Sequence, residues 1–446
     1  MAIDSCRARL PMRRLLPLLT LPLLLASCAS LTPASGLTPD SAAPTAAPAA
    51  LSVQLPERAD SPLILVSIDG MRNDYTERGI TPALQQMADN GTRAAFLRPS
   101  YPSITFPNHY TLVTGLRPDR HGVIANFMRD PTIAGVKFSM FDRDTVSDAR
   151  WWNDGKPIWS SVSDAGGRSA AMFWVGSEAP VHGRHPEFWH PFDISVSSAR
   201  RVDNVLAWLD LPAQQRPHFI ALYFDIVDTA GHRYGPDSDE VNQALAEVDT
   251  ALGQLLAGLQ ARGLQDAVNL VIAADHGMIN TDAQHIVYLD DHLDASLIDP
   301  IWTGAYAAFD ALPGAQAQVD ALLGKHEHFE CMTREQIPPR LAYGQHRRVP
   351  RYHCMANPGW QLTTRDAFQR KGHALLGEHG YDNALPAMHS PFIAYGPAFK
   401  RGHVIDGIDN VDVYPLLAHL LGITPADNDG DLLHTGDALI PATEAP

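Results

Sequence analysis

Cysteine and positive charge are both scarce in this chain. Only 4 of its 446 residues are Cys, and 34 basic side chains stand against 50 acidic ones, for a formal net charge of -16. Such a chain has no general electrostatic attraction to nucleic acid polymers or to anionic lipid. The cysteines are too few and too far apart for a thiolate zinc site. An anionic ligand therefore has to be bound by local means, such as metal ions held by other side chains.

The one apolar run near the N-terminus, residues 15–25, is too short to span a bilayer and follows a basic stretch, as in an export signal. It ends in Leu25-Ala26-Ser27-Cys28, which resembles the bacterial lipobox, where the cysteine carries the lipid. Ordinary signal-peptidase cleavage nearby, with Cys28 incidental, is the alternative. The first interpretation predicts a signal peptide at 1–27. It also predicts a lipoprotein of a Gram-negative bacterium that is exported to the periplasm or anchored in the outer membrane.

The next segment, 28–57, is rich in Ala, Pro, Ser and Thr, which is typical of a flexible tether. A catalytic domain is expected at 58–442. Once the signal is removed and Cys28 is acylated, Cys331 and Cys354 remain, and an exported chain with two cysteines favours a disulfide between them.

Apolar runs at 62–68, 219–224 and 268–273 have the length and composition of strands buried on both faces. A fourth candidate strand lies at 391–395. Helical spacing of apolar residues is clearest at 241–262, and a closing helix is expected at 411–421. Strands that alternate with helices predict an α/β fold with a central, largely parallel sheet and helices on both faces.

The three buried runs are followed by Asp or Asp/His clusters. Ligands of such sheets bind outside the carboxyl ends of the strands, so these side chains are expected to converge. Each has an ordinary alternative, such as a turn at Asp69-Gly70, but their common position favours a metal enzyme. Carboxylate and imidazole ligands suit zinc or a similar divalent ion. The candidate ligands are Asp69, Asp228, His232, Asp275, His276 and His379.

Thr105 lies where an apolar helix is expected to begin. Pro107 is tolerated in the first turn of a helix, and Gly115 is a suitable C-cap. The unpaired N–H groups and the dipole of a helix N-terminus favour an anion there. A hydroxyl group at this position is a candidate nucleophile for phosphoryl chemistry, although a simple N-cap is the alternative.

Six blocks of sequence, in order, resemble the nucleotide pyrophosphatase/phosphodiesterase family of the alkaline phosphatase superfamily. The resemblance spans about 62–422 and implies an alkaline phosphatase-like fold. The blocks are 65–70, 105–115, 121–126, 228–236, 275–278 and 379–383.

The resemblance implies two zinc ions per chain. One would be held by Asp228, His232 and His379. The other would be held by Asp69, Asp275 and His276, with the Thr105 oxygen as a further ligand. Thr105 would be the catalytic nucleophile that forms a covalent nucleotidyl intermediate, and hydrolysis of phosphodiester and pyrophosphate bonds would release nucleoside 5'-monophosphates. Asn126 would be both a catalytic and a substrate-binding residue that donates to a phosphoryl oxygen.

The same resemblance places Phe106 beside the substrate, and Phe192 falls where nucleotide-cleaving relatives carry a Tyr that helps to sandwich the base. Packing of both rings in the core is the alternative. The implied partner is a nucleotide or another small phosphodiester, with no need for a nucleic acid polymer and with membrane contact through the lipid anchor only. A phospholipid or choline-type phosphodiesterase on the same bimetal site is the competing activity. A sulfatase is disfavoured because Thr105 cannot become formylglycine, and a lipid-anchored binding protein would leave the ordered ligands without purpose.

Overall fold

The computed structural model describes residues 62–441. The predicted signal peptide 1–27, the lipidation site Cys28 and the predicted tether 28–57 lie outside these residues. Within 62–441, no helix combines the length and the apolar composition needed to cross a membrane.

An eight-stranded sheet forms the centre of the described domain. Its strands are flanked by helices, and only Ile393–Tyr395 runs antiparallel to its neighbours in this sheet. The prediction of a largely parallel α/β sheet is therefore confirmed. From one edge to the other, the strands are His403–Ile405, Thr92–Ala94, Ile393–Tyr395, Asn269–Ala273, Leu63–Ile68, Phe219–Phe224, Ser169–Met172 and Phe188–His190.

The middle of this sheet consists of the three predicted runs. Leu63–Ile68 pairs in parallel with Phe219–Phe224 on one side and with Asn269–Ala273 on the other. Every residue of these three strands is buried. Because helices cover both faces, such strands are apolar at nearly every position, with Ser67 and Asn269 as the polar exceptions, which explains the apolar runs.

The α-helices lie between and around the strands. Pro82–Asp89 and Ser198–Leu209 both pack against the long helix Asp239–Ala261, while Thr105–Thr114 packs against Val413–Leu420. The expected closing helix is shorter than predicted, since a 3-10 turn occupies Asn410–Asp412. The helices are Pro82–Asp89, Thr105–Thr114, Pro118–His121, Arg143–Val146, Ile158–Asp164, Ser198–Leu209, Ile226–Tyr234, Asp239–Ala261, Gln316–Asp320, Arg365–Lys371, Val413–Leu420 and Leu432–Gly436.

A second, antiparallel sheet of five strands was not predicted from the sequence. It has its own apolar core, in which Cys331 and Cys354 face each other across paired strands and form a disulfide. The strands, in spatial order, are Ile298–Trp302, Tyr306–Ala311, Tyr352–Ala356, Phe329–Thr333 and Gly324–Lys325.

Four two-stranded ribbons complete the described domain. Two of them border the site: Phe127–Arg129 pairs with Lys137–Ser139, and Ile279–Asn280 pairs with Gly377–Glu378. The others are Leu97–Arg98 with Ile408–Asp409, and Ile286–Tyr288 with Gln361–Thr363.

Candidate active site

The acidic side chains that follow the three central strands meet at one edge of the sheet. Asp69 directly follows Leu63–Ile68, Asp275 comes two residues after Asn269–Ala273, and Asp228 lies in the first turn of the helix after Phe219–Phe224. Gly70 makes this approach possible. It has a φ of 67°, and a Cβ there would lie 2.9 Å from the Asp228 Cα.

The first cluster surrounds Nε2 of His276. The Asp275 Oδ2 atom lies 3.0 Å from this nitrogen, and the Asp69 Oδ1 atom lies 3.5 Å from it. The hydroxyl oxygen of Thr105 is also 3.5 Å away. Asp275 and His276 are completely buried. The structure therefore brings the predicted nucleophile to the predicted ligand set of one metal ion.

The second cluster consists of Asp228, His232 and His379. The Nε2 atoms of the two histidines are 3.0 Å apart. The carboxylate oxygens of Asp228 lie 3.4 Å from Nε2 of His232 and 3.6 Å from Nε2 of His379. The rings of His276 and His379 stack with their centroids 3.6 Å apart, so the two clusters adjoin.

Backbone carbonyl groups determine the tautomers of all three imidazoles. Nδ1 of His232 lies 2.8 Å from the Gly377 carbonyl oxygen, Nδ1 of His379 lies 2.9 Å from that of Ser103, and Nδ1 of His276 lies 2.9 Å from that of Gly277. A carbonyl can only accept, so each Nδ1 carries the hydrogen and the neutral ring presents a lone pair on Nε2. These are the orientation and the outer hydrogen bond that a metal-ligating histidine needs.

The buried carboxylates of the two clusters also indicate that metal ions bind there. Among the described residues, one oxygen each of Asp69, Asp228 and Asp275 is buried without a hydrogen-bond partner. Burial and repulsion from the other two carboxylates raise the pKa of Asp69. Burial alone would raise the pKa of Asp275 as well, but without a metal ion the protonated forms of His276 and His109 outweigh it and lower that pKa. Buried carboxylates and facing imidazole lone pairs need a cation, so the residues fit a metal ion at each cluster.

Thr105 is the first residue of the helix Thr105–Thr114, which is buried along its whole length and ends at Gly115 with a φ of 67°. The Phe106 N–H donates to Oδ1 of Asn126 at 2.9 Å. His109, one turn along, contacts the Thr105 carbonyl oxygen through Nδ1 at 2.9 Å and lies 3.4 Å from the Asp275 carboxylate. His109 thus connects the backbone of Thr105, the candidate nucleophile, to Asp275, a candidate metal ligand.

A cavity of about 950 Å³ opens beside Thr105, and Phe106, Asn126 and Phe192 line it. Phe106 is only 9% exposed, because it packs on Phe138 and other rings, whereas Phe192 is 37% exposed. The structure brings both predicted clamp residues to the same cavity as the nucleophile.

Sequence reasoning missed two side chains that support this wall. Tyr223 donates from its hydroxyl to Asp69 at 2.6 Å, and its ring contacts that of Phe192 at 6.0 Å between centroids. Arg201, which is 1% exposed, pairs with Asp225 at 2.6 Å and donates to the Tyr223 carbonyl. Sequence spacing could not identify either residue, because each contacts partners that are distant in the sequence, Asp69 for Tyr223 and Asp225 for Arg201.

Comparison with known proteins matches the sequence of this chain to a family. The family model described as Type I phosphodiesterase / nucleotide pyrophosphatase matches residues 63–382. An uncharacterised pyrophosphatase/phosphodiesterase of Schizosaccharomyces pombe is 35% identical over 390 residues, 83% of this chain and 79% of the relative. A bis(5'-adenosyl)-triphosphatase of Xenopus laevis is 35% identical over 85% of this chain and 82% of its own length. The chain spans only 44% of a Macrovipera lebetinus venom phosphodiesterase, to which it is 35% identical.

The fold also matches solved structures. Mouse ectonucleotide pyrophosphatase/phosphodiesterase 5 superposes with a TM-score of 0.81 at 33% identity, covering 85% of this chain and 100% of that one. An inactive variant of the same mouse protein was solved in complex with AMP, with the same TM-score.

The fold and the site define a metal-dependent phosphoesterase of the alkaline phosphatase-like class, in which a threonine adjoins one of two neighbouring carboxylate–imidazole clusters. Within this class, the chain belongs to the type I phosphodiesterase/nucleotide pyrophosphatase family, and it is an enzyme of that family.

Proposed function

We propose that this protein hydrolyses nucleotide phosphodiester and pyrophosphate bonds with zinc, and releases nucleoside 5'-monophosphates through a covalent intermediate on Thr105. The observation that carries this proposal is the position of the Thr105 hydroxyl. The hydroxyl lies beside one candidate metal cluster, and this cluster adjoins the second. Thr105 also lies on the wall of a cavity that aromatic rings line.

Two zinc ions per chain fit the donor sets, one at Asp69, Asp275 and His276 and one at Asp228, His232 and His379. When bound, the ions would neutralise phosphoryl charge and lower the pKa of a nearby hydroxyl group.

The side chains of the protein position the reaction. Thr105 presents its hydroxyl at the start of a ten-residue helix, where the helix dipole favours the phosphoryl anion. Asn126 uses its Oδ1 to accept from the Phe106 N–H, so its amide hydrogens are the groups left to donate to a phosphoryl oxygen. Attack by the Thr105 oxygen forms the oxygen–phosphorus bond as the bond to the leaving group breaks. Water then hydrolyses the nucleotidyl-threonine.

Two kinds of observation support a nucleotide substrate. Phe106 and Phe192 line the cavity, and aromatic rings bind bases of any sequence by stacking. The Xenopus relative is named a bis(5'-adenosyl)-triphosphatase, and the mouse relative was solved with AMP.

One observation favours the competing phospholipid or choline-type phosphodiesterase. Ile194, which lines the cavity, is 67% exposed, and an apolar chain could cover it. Purified protein should therefore be assayed against nucleotide diesters, choline diesters and phosphate monoesters. Higher kcat/KM for nucleotide diesters supports the nucleotidase, whereas higher kcat/KM for choline diesters would replace it with the competing activity.

We also propose that the protein is a bacterial lipoprotein, exported and anchored through Cys28. The support is the sequence alone: a basic start, a short apolar run and the lipobox-like Leu25-Ala26-Ser27-Cys28. In a Gram-negative host, the wild type is expected in the membrane fraction, and Cys28→Ser is expected to be soluble or misprocessed. A soluble wild type whose mass shows cleavage elsewhere would refute the anchor.

A further inference from the structure

Asn126 lies on a buried segment of irregular backbone, 122–126, which is neither helix nor strand. Gly122 lies four residues before Asn126, and Asp130 lies four residues after it. An irregular backbone lacks the regular hydrogen bonds of a helix or a sheet. Contacts from elsewhere in the chain therefore have to fix the position of Asn126.

Arg348 makes such contacts on both sides of Asn126. Its Nη1 donates to the Gly122 carbonyl oxygen at 2.7 Å, and its Nε donates to the Asp130 carboxylate at 2.5 Å. Its remaining hydrogen bonds go to the carbonyl oxygens of Trp151, at 2.8 Å, and Arg150, at 3.0 Å. One side chain thus binds both ends of 122–130, and Asn126 is at the midpoint of that stretch.

The chemistry of an arginine suits this arrangement. A guanidinium group presents five N–H donors in a fixed plane, so Arg348 can bind a carboxylate and three carbonyl groups at the same time. The side chains of Arg348 and Asp130 are both fully buried. Because the cost of desolvating two charges offsets much of their attraction, a buried pair of this kind adds little net stability. Its specific contribution is a defined separation between Gly122 and Asp130.

The residues that precede Arg348 hold the same part of the chain. Tyr343 is buried and donates from its hydroxyl to the carbonyl oxygen of Ile124, two residues before Asn126, at 3.2 Å. Asp119 accepts from two backbone N–H groups of the loop 343–348, at 3.0 and 2.7 Å. This loop therefore contacts the Asn126 segment at several points, and we refer to 343–348 as the brace.

The brace can affect the reaction only through other residues. Arg348 and Tyr343 both lie outside the set of described residues that line the active-site cavity. One route from Arg348 to the cavity runs along the backbone from Gly122 to Asn126. A second runs through aromatic rings, because the Arg348 guanidinium lies 5.1 Å from the Trp151 ring, which is connected through Phe138 to Phe106. A test has to separate these two routes.

We propose that Arg348 is a positioning residue for Asn126, and that it holds 122–130 so that the Asn126 amide hydrogens reach the phosphoryl oxygen. This proposal rests on the proposed function, in which Asn126 donates to that oxygen, and adds the side chain that places the donor. Such a donor acts most strongly on the charge that develops in the transition state. Displacement of Asn126 should therefore lower kcat more than it raises KM.

The test is a double-mutant cycle of Arg348→Lys and Asn126→Ala in the metal-loaded protein. The substrate is a base-free aryl phosphodiester, so that stacking of a base on Phe106 has no part in the result. Arg348→Lys keeps a positive charge beside Asp130, but a single ammonium nitrogen cannot reach all four acceptors. It is expected to lower kcat about tenfold while KM changes less than about twofold. Asn126→Ala is expected to lower kcat about a hundredfold.

The decisive measurement is the effect of Arg348→Lys in the Asn126→Ala background. If Arg348 acts through Asn126, the Lys substitution should change kcat less than about twofold there, since no amide remains to be positioned. A residue that only supports the fold, or that acts through Phe106, would lower kcat by the same factor in both backgrounds. That additive result would overturn the proposal, as would an unchanged kcat in Arg348→Lys alone.

Tyr343→Phe is the second variant, and it decides the matter if Arg348→Lys does not fold. It removes one hydroxyl group from the brace and is expected to lower kcat about threefold, with no effect in the Asn126→Ala background. The same loss in both backgrounds would contradict the proposal.

Arg347→Lys is the matched control. Arg347 contacts Asp130 and Asp154, whereas the hydrogen bond to the Gly122 carbonyl comes from Arg348. Its substitution should change kcat less than about twofold. A loss as large as that of Arg348→Lys would overturn the proposal, because it would arise without any change at Gly122.

Failure of the proposed function gives a different result. If the site does not cleave phosphodiesters, the wild type leaves the aryl diester intact. If Asn126 is not a donor in the reaction, Asn126→Ala keeps the wild-type kcat. In both cases the positioning role falls together with that function, whereas an additive cycle overturns the positioning role alone.

Discussion

The metal-ligand edge of the main sheet and the walls of the cavity beside it are built in different ways. At the edge, Asp69 and Asp275 follow central strands and are buried, and backbone carbonyls accept from Nδ1 of His232 and His379. The walls come from ribbons, loops and the second sheet, and include rings that are 37% and 81% exposed, Phe192 and Phe141. The edge is therefore suited to one reaction chemistry, whereas the walls are suited to determine which substrate is accepted.

Removal of metal should have the largest effect. A strong chelator is expected to abolish hydrolysis of every substrate, because the buried carboxylates and imidazole lone pairs of both clusters lose their counter-ion. Unfolding temperature should fall as well, since an ion that binds only the folded state stabilises it. Activity and thermal unfolding are measured before and after addition of zinc. Full activity after exhaustive chelation would contradict the assignment.

Loss of the nucleophile comes next. Thr105→Ala is expected to lower kcat at least about a thousandfold with any diester, because it removes the hydroxyl group that lies 3.5 Å from Nε2 of His276 in the first cluster. Thr105→Ser should keep measurable activity, since it retains the hydroxyl. The two variants are compared by kcat and by trapping of labelled protein after acid quench. Near-normal turnover in the Ala variant would rule out the mechanism.

A change in the clamp should be smaller and should depend on the substrate. Phe192→Ala is expected to raise KM for nucleotide diesters about tenfold, because one face of the base loses its stacking partner. A base-free aryl phosphodiester should be almost unaffected. Equal weakening of both substrates would show that Phe192 supports the metal-ligand edge, through Tyr223, and does not bind the base.

The disulfide should affect stability and leave catalysis unchanged. Replacing both Cys331 and Cys354 by Ser is expected to lower the free energy of unfolding by roughly 3 kcal/mol, since the bond closes a loop across 23 positions of the chain. Both residues belong to the core of the second sheet and do not line the cavity, so kcat/KM at 25 °C should stay within about twofold. A large loss of activity at that temperature would show that the second sheet sets the shape of the site.

The same contrast explains what could be predicted from the sequence. Asp69, Asp228 and Asp275 follow buried apolar runs. Because the carboxyl ends of parallel strands meet at one edge of the sheet, their convergence could be predicted without any contact information. The second sheet was missed because its strands carry charged residues, such as Asp299, Asp310 and Glu330, and because a register shift between Pro300 and Trp302 interrupts its first strand pair. Trp302 reaches the cavity only through that sheet, so its role depends on long-range packing that no local pattern reveals.

The hydrogen bond between Phe106 and Asn126 has a consequence for the resting enzyme. A backbone N–H can only donate, so the Asn126 amide must present its oxygen to Phe106 and its hydrogens elsewhere. Turning the amide over would leave the buried Phe106 N–H facing another donor, at a cost of about 1–3 kcal/mol, so the inverted rotamer is the minor form. Most molecules of the protein therefore present the Asn126 amide hydrogens to an arriving phosphate. The orientation of this amide was already set when the chain folded.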